Sequence, residues 1–110
     1  MIEIIVVGQV PNPALIGYWR NLDISDATYI PLDQVDSRYN IITVSFAAPK
    51  SGTTDGTMKF APVQVTPSIF KTQIQTLQNQ GKKVLISIGG EGEGVILDSN
   101  PKRDQFVSTI

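Results

Sequence analysis

Residues 77–90 read Leu-Gln-Asn-Gln-Gly-Lys-Lys-Val-Leu-Ile-Ser-Ile-Gly-Gly, and the fold turns on them. Gly81 is where a helix stops, because glycine accepts the left-handed backbone that closes a helix C-terminus. After Lys83, Val84 to Ile88 is then a short, almost unbroken apolar run with one polar residue, Ser87. Such a run, bounded by glycines, predicts a strand buried on both faces in a parallel sheet. Working back from Gly81, Thr66 is the expected N-cap of the helix and Pro67 its first residue. Ile69, Phe70, Ile74 and Leu77 form an apolar stripe opposite Lys71, Gln75 and Gln78. Working forward, Gly89 to Gly94 is a glycine-rich loop. Ser99 or Asn100 caps a last helix that starts at Pro101, with Phe106, Val107 and Ile110 on one face.

Further upstream the same pattern repeats. Tyr39 to Ala48 is a second nearly continuous apolar run, and Ala14 to Trp19 a shorter first one. Between them lies a weak helical patch over Pro31 to Arg38, with Leu32 and Val35 one turn apart. Pro49 to Pro62 is a loop, and its central Asp55-Gly56 predicts a hairpin pairing Thr53-Thr54 with residues 57–60. The order strand, short helix, strand, helix, strand, helix predicts an α/β fold of three parallel βα units with right-handed crossovers. Three such strands leave two apolar edges unpaired, and the last helix reaches Ile110 with its stripe still running. The expectation is the beginning of a larger structure. Residues 2–7 read as a separate strand, followed by the stiff Pro11-Asn12-Pro13, so residues 1–12 are expected to be an extension and residues 13–110 the domain proper.

The chain has 110 residues, 9 basic and 10 acidic, with 41% hydrophobic and 17% charged side chains. That length fits one domain, and the hydrophobic share is that of a globular protein. A net charge of −1 without a basic run gives no electrostatic reason to bind nucleic acid or an anionic membrane. The first six apolar residues are too short to span a bilayer, and Glu3 stands where a signal peptide carries basic residues. With no Cys and no His, thiolate and imidazole metal sites are excluded, as are Cys–His and Ser–His nucleophile pairs. Carboxylates, Lys, Tyr and hydroxyl groups remain for chemistry.

The Gly90-x-Gly92-x-Gly94 spacing is not the G-x-G-x-x-G of dinucleotide sites, no G-x-x-x-x-G-K-[ST] occurs, and two glutamates in the loop repel a pyrophosphate. Glu91 and Glu93 are the paired carboxylates at the C-terminal mouth of a strand; their bland reading is a solvated loop, and the further ligands of a Ca²⁺ site are missing. Asp33 and Asp36 share one short helical turn, where Asp33 favours the helix N-terminus. Tyr18 and Trp19 end the first strand and Phe46 the second, where aromatic residues either plug a core or stack on sugars. Ser87 is polar within an apolar run and needs a hydrogen-bond partner if it is buried.

Taken together, Ile16-Gly-Tyr-Trp19, Asn40-Ile-Ile-Thr-Val-Ser-Phe46 and Leu77-Gln-x-x-Gly-Lys-Lys-Val-Leu-Ile-Ser-Ile-Gly-Gly90 resemble the N-terminal part of family 18 glycoside hydrolases, in particular bacterial-type chitinases. Ser87-Ile88-Gly89-Gly90 matches the family's third-strand S-x-G-G motif. The resemblance runs from about residue 13 to residue 110 in the expected order. It implies a (β/α)₈ TIM barrel of about 250 residues or more, of which this chain holds the first three βα units, ahead of strand four.

The family's catalytic signature, D-x-x-D-x-D-x-E on strand four, does not occur in this sequence, so the resemblance assigns no catalytic residue here. The implied chemistry is hydrolysis of β-1,4-linked N-acetylglucosamine polymers with retention, assisted by the substrate's own acetamido group. It needs no metal or organic cofactor. By the same resemblance, Tyr18 and Ser87 support the motif carboxylates, Phe46 floors the cleavage site, and Gly89 and Gly90 let the backbone approach the sugar. Trp19 either stacks on sugar or packs in the barrel wall. Glu91 stands where many relatives carry an aromatic residue. The resemblance also implies an extracellular protein with chitin or its oligomers as partner. The expectation is therefore a chitinase portion inactive alone; the alternatives are a non-catalytic chitinase-like lectin, or a piece that self-associates through its open sheet edges.

Overall fold

The computed structural model describes residues 10–90, 92 and 94–110. The strand expected over residues 2–7 and the Glu91–Glu93 pair lie outside the described residues. The chain folds as α/β with a mixed sheet. Its elements are β1 (Ile16–Arg20), a 3₁₀ turn (Leu32–Gln34), β2 (Ile41–Pro49), β3 (Met58–Lys59), α1 (Pro67–Asn79), β4 (Lys83–Ile88) and α2 (Asn100–Thr109).

β2 is the central strand, parallel to β1 on one side and to β4 on the other. The three apolar runs thus form the expected parallel core. β3 departs from it, running antiparallel to the far end of β2 with Ala48 opposite Lys59 and Pro49 opposite Met58. The hairpin expected at Asp55-Gly56 therefore exists, but its incoming arm is the end of β2 rather than Thr53-Thr54. Asp55 shapes the turn by accepting from the Thr57 amide at 3.0 Å and from the Thr57 hydroxyl.

α1 begins and ends where the sequence places it. Thr66 Oγ1 accepts from the Ile69 amide at 3.3 Å, Pro67 opens the helix, and the chain leaves through Gly81 at φ +79°. Its buried face is shifted from the expected stripe: Phe70, Gln73 and Leu77 are buried, while Ile69 is half exposed. Phe70 and Leu77 pack with Trp19, Leu32, Ile42 and Val44 to make the core on one side of the sheet. Lys82, just past α1, donates to the carbonyls of Ser37 and Tyr39 at 2.7 Å each and so pins the segment that leads into β2.

Three expectations need correction. The helical patch over residues 31–38 contracts to a single 3₁₀ turn, because Val35 is already extended at ψ 152°. β4 is not buried on both faces: Leu85, Ile86 and Ile88 are all substantially exposed, since among the described residues β4 is an outer strand that pairs only with β2. α2 buries none of its side chains. Instead of laying an apolar stripe on the sheet it is held at the β3 end, where the Met58 amide donates to Thr109 Oγ1 and Gln105 Nε2 donates to Thr57 Oγ1, both at 3.0 Å.

Candidate functional site

Strand alternation divides the sheet into two faces. Gly17 and Trp19 of β1, Ile42 and Val44 of β2, and Val84 and Ile86 of β4 stand in register on the α1 side. Tyr18, Thr43 and Leu85 form one row of the opposite face, and Arg20, Ser45 and Ser87 the next row toward the strand C-termini. The sequence candidates Tyr18 and Ser87 therefore share a face, one row apart, on strands separated by β2.

Phe46 joins them. The register between β2 and β4 slips at this point, with Ser45 opposite Ser87 and Ala47 opposite Ile88, so Phe46 is the bulged residue. Its ring lies against Tyr18 with centroids 6.3 Å apart and planes inclined at 38°. Both rings are open to solvent, Tyr18 at 68% and Phe46 at 45% exposure. Two tilted, accessible rings on neighbouring strands make an exposed apolar platform.

Gly89 follows directly. Its amide donates to the Ala47 carbonyl at 2.9 Å, which ties the end of β4 to the bulge beside Phe46. Gly89 and Gly90 adopt φ +111° and +122°, conformations that side-chain-bearing residues rarely take. The S-x-G-G stretch thus turns sharply at the mouth next to the platform.

Trp19 belongs elsewhere. It is 5% exposed, its Nε1 donates to the Ile30 carbonyl at 2.7 Å, and its ring meets Tyr29 edge-on and Phe70 at a tilt. Of the two roles open to it, its burial and its indole hydrogen bond favour the core. Asp33 sits in the first turn of the 3₁₀ helix as expected, and Asp36 lies past that turn and pairs with Arg38 at 2.8 Å.

Sequence reasoning missed three residues. Asn21 directly follows β1; its Nδ2 donates to the Ala61 carbonyl at 2.7 Å and its Oδ1 accepts from the Val63 amide at 3.1 Å, so one side chain clasps the β3–α1 loop to the mouth. Asparagine immediately after a strand was the available signal, since its amide mimics backbone at turns. Asn40 Oδ1 accepts from the Leu15 amide at 2.7 Å and aligns the starts of β1 and β2. Ser45 carries a buried hydroxyl without a partner among the described residues, where the sequence had singled out Ser87. Nothing in a single sequence separates these two serines, which differ only in standing on the central or the outer strand.

Two clefts flank the sheet. One of about 330 Å³ runs along β1 between Tyr39 and Ile30, and one of about 340 Å³ lies between α1 and β4 under Met58 and Phe60. Tyr18 borders the first of them, whereas Phe46, Ser87 and Gly89 border neither, so the Phe46 side of the platform is an open surface.

No family model matches the chain. Among curated proteins it is 46% identical over 105 residues to Chitinase D of Niallia circulans, an alignment covering 91% of this chain and 20% of that protein. Among solved structures it superposes on a family GH18 chitinase from Chromobacterium violaceum with a TM-score of 0.76 and 33% identity, over 87% of this chain and 25% of the other. A protein described as chitinase A of Streptomyces coelicolor superposes with a TM-score of 0.78 and 33% identity, over 88% of this chain and 34% of that one. The chain spans about a fifth of the length of the curated relatives it matches.

Proposed function

We propose, from the premise that the chain belongs to the chitinase-like proteins of glycoside hydrolase family 18, that residues 13–110 are the first three βα units of a (β/α)₈ barrel acting on β-1,4-linked N-acetylglucosamine polymers. The observation that carries this reading is the exposed Tyr18–Phe46 platform, with Ser87 one row beyond Tyr18 on the same face and the Gly89–Gly90 turn beside it. Phe46, Ser87 and the glycines stand toward the C-terminal ends of the parallel pairing, with Tyr18 one row inside, and barrels of this class place their sites at that end.

In such a site the acid protonates the leaving oxygen and the substrate's acetamido oxygen attacks the anomeric carbon. This chain's part is the wall. Phe46 floors the sugar, the Tyr18 and Ser87 hydroxyls hold the carboxylates of the acid motif, and the glycines admit the chain of sugars. The motif itself is not among these 110 residues, so the wall binds without cleaving. Working outside the cell follows from a polymer substrate too large to enter one.

The test is titration of the purified chain with the tetramer of N-acetylglucosamine, followed by NMR and by a reducing-end assay. Shifts confined to Tyr18, Phe46 and residues 87–90, with no new reducing ends, are expected. Release of reducing ends would overturn the division of labour, and an absence of any shifts would overturn the site.

A further inference from the structure

We propose that the Asp55–Gly56 linkage is a modification site, at which the chain converts spontaneously to an isoaspartyl linkage at a rate restrained by Thr57. It is the single Asp-Gly pair of the sequence, and it sits in the loop joining β2 to β3. Asp55 is exposed, Gly56 has no side chain to shield its amide, and that amide has no acceptor among the described residues. In the first step the Gly56 nitrogen attacks Asp55 Cγ in its neutral acid form. A C–N bond forms, a Cγ–O bond breaks, and the amide proton departs with the acid's hydroxyl as water. The succinimide then takes up water again. Opening at the Asp55 main-chain carbonyl leaves the chain running through Cβ and Cγ, and opening at Cγ restores aspartate. Water is the sole co-reactant, and a cleft of about 100 Å³ beside Gly56, bordered also by Thr53, Thr54, Gly94 and Ile96, has room for it.

Thr57 opposes the first step. Its amide and its hydroxyl both donate to Asp55 Oδ1, at 3.0 and 2.6 Å, and the hydroxyl is itself held by Gln105 Nε2 of α2 at 3.0 Å. These bonds pin the carboxyl toward Thr57 and favour its charged form, whose oxygen is a poor leaving group. The Asp55 carboxyl accordingly lies below the usual carboxylate range, with the Thr57 hydroxyl the largest cause and the Thr57 amide the next. Of the charged groups on adjoining elements, Lys50 pulls the same way more weakly, and Lys102 is engaged with Asp98 at 2.8 Å. Glu91 and Glu93, ahead of Gly94, lie outside the described residues. Conversion reaches beyond the loop because Thr57 is a junction. Gly56 has φ +93°, and a Cβ there would collide with the Lys102 carbonyl of α2. The Lys50 amide donates to the Thr57 carbonyl at 2.8 Å, and the next residue, Met58, donates to Thr109 Oγ1. One extra main-chain carbon at residue 55 shifts Thr57 out of this arrangement, so the β3 arm and α2 loosen together.

The experiment incubates the folded chain, and the chain unfolded in urea, at pH 6 and 37 °C. Peptide mapping with electron-transfer fragmentation distinguishes the two linkages at residue 55, and methyl transfer by an isoaspartyl methyltransferase counts them independently. Isoaspartate is expected at residue 55 of the folded wild type, ahead of the exposed Asp98-Ser99. None is expected at this position in Asp55→Glu, whose longer side chain closes a larger, less favoured ring. Thr57→Val keeps the amide and drops the hydroxyl, and should convert about three times faster or more while folded. Thr57→Ser restores the hydroxyl and should return to the wild-type rate. In urea, where these hydrogen bonds are gone, Thr57→Val, Thr57→Ser and the wild type should convert alike. Equal rates in folded wild type and folded Thr57→Val would overturn the restraint assigned to Thr57. Absence of isoaspartate at residue 55 in the folded wild type, over a period in which the unfolded chain accumulates it, would overturn the site.

Discussion

The rings of Tyr18 and Phe46, from neighbouring parallel strands, lie 6.3 Å apart between centroids and face solvent rather than the core. The bulge at Phe46 is what lifts its ring to the mouth where Tyr18 stands. Because each ring is exposed, truncating it removes little buried area. Tyr18→Ala and Phe46→Ala are therefore expected to cost less than about 1 kcal/mol of stability, the range of surface substitutions. Each should weaken binding of the N-acetylglucosamine tetramer tenfold or more. Chemical denaturation and calorimetric titration on the same samples read the two effects; a large loss of stability with unchanged binding would mean that the pair is structural.

Trp19, one residue from Tyr18, is expected to behave in the opposite way. Its indole fills the core against Phe70 and Tyr29 and its N–H satisfies the Ile30 carbonyl. Trp19→Ala should cost about 3–5 kcal/mol, typical of emptying a core position of this size. Trp19→Phe keeps the packing in part and leaves that carbonyl without its donor, at about 1–3 kcal/mol. Sugar affinity of the folded fraction of Trp19→Phe, measured beside its denaturation midpoint, should match that of the wild type.

This contrast marks how far the sequence alone could be read. The element boundaries over residues 66–88 were legible because cap, proline, glycine and apolar strand all agree there, although which faces are buried was not. The β3 pairing was not: the Asp55-Gly56 turn was visible, but which residues it pairs depends on β2 extending to Pro49, a non-local fact. α2 misled for a related reason. Phe106, Val107 and Ile110 suggest an amphipathic stripe, yet contacts through Thr109 and Gln105 set where the helix lies. At the candidate site, Tyr18, Phe46 and Ser87 were singled out by the motifs they sit in, and the structure brings the first two together with Ser87 one row away. Asn21 was not, since its role rests on a clasp to Ala61 and Val63, some forty residues away in sequence.

Ser45 and Thr66 make a second pair of opposites. The Ser45 hydroxyl is buried without a partner among the described residues, so it has lost water and gained nothing in return. Removing such a group relieves a penalty, and Ser45→Ala is expected to be neutral or to stabilise by up to about 1 kcal/mol. The Thr66 hydroxyl accepts from the Ile69 amide at the helix N-terminus, and Thr66→Ala is expected to destabilise by about 1 kcal/mol. Thermal midpoints of the two variants should move in opposite directions, or Ser45→Ala not at all. A clear destabilisation by Ser45→Ala would reveal a partner for that hydroxyl.

Asp36 sets an acid sensitivity. Hydrogen bonds from the Arg38 guanidinium, and then from the Arg38 amide, hold its carboxyl well below the usual carboxylate range. A carboxyl whose folded pKa is depressed contributes stability above its unfolded value, about 3.9 for aspartate, and loses it as the pH falls from there toward the folded value. The difference in thermal midpoint between wild type and Asp36→Asn should be constant from about pH 8 to pH 5 and narrow below about pH 4. The pair is solvent-exposed, so the difference should be small and shrink with salt. A gap that widened as the pH fell would contradict this assignment.

The outer strands carry the last expectation. Ile16 and Tyr18 on β1, and Leu85, Ile86 and Ile88 on β4, are exposed, and in the described sheet each of these strands pairs only with β2. An apolar strand with free amides and carbonyls along one side is a template for pairing with another chain, and natural proteins blunt such edges with charge. Between Lys83 and Ile88 the edge of β4 has none. The isolated 110-residue chain should therefore show a mass that rises with concentration in analytical ultracentrifugation. Leu85→Lys sets a charge in the middle of the exposed strand, where its half-buried neighbour Ser87 offers nothing to neutralise it. This variant should remain monomeric at concentrations where the wild type associates. Because Leu85 is already 53% exposed, the substitution should leave the thermal midpoint nearly unchanged. Equal masses for the two proteins would show that association, if it occurs, proceeds through another surface.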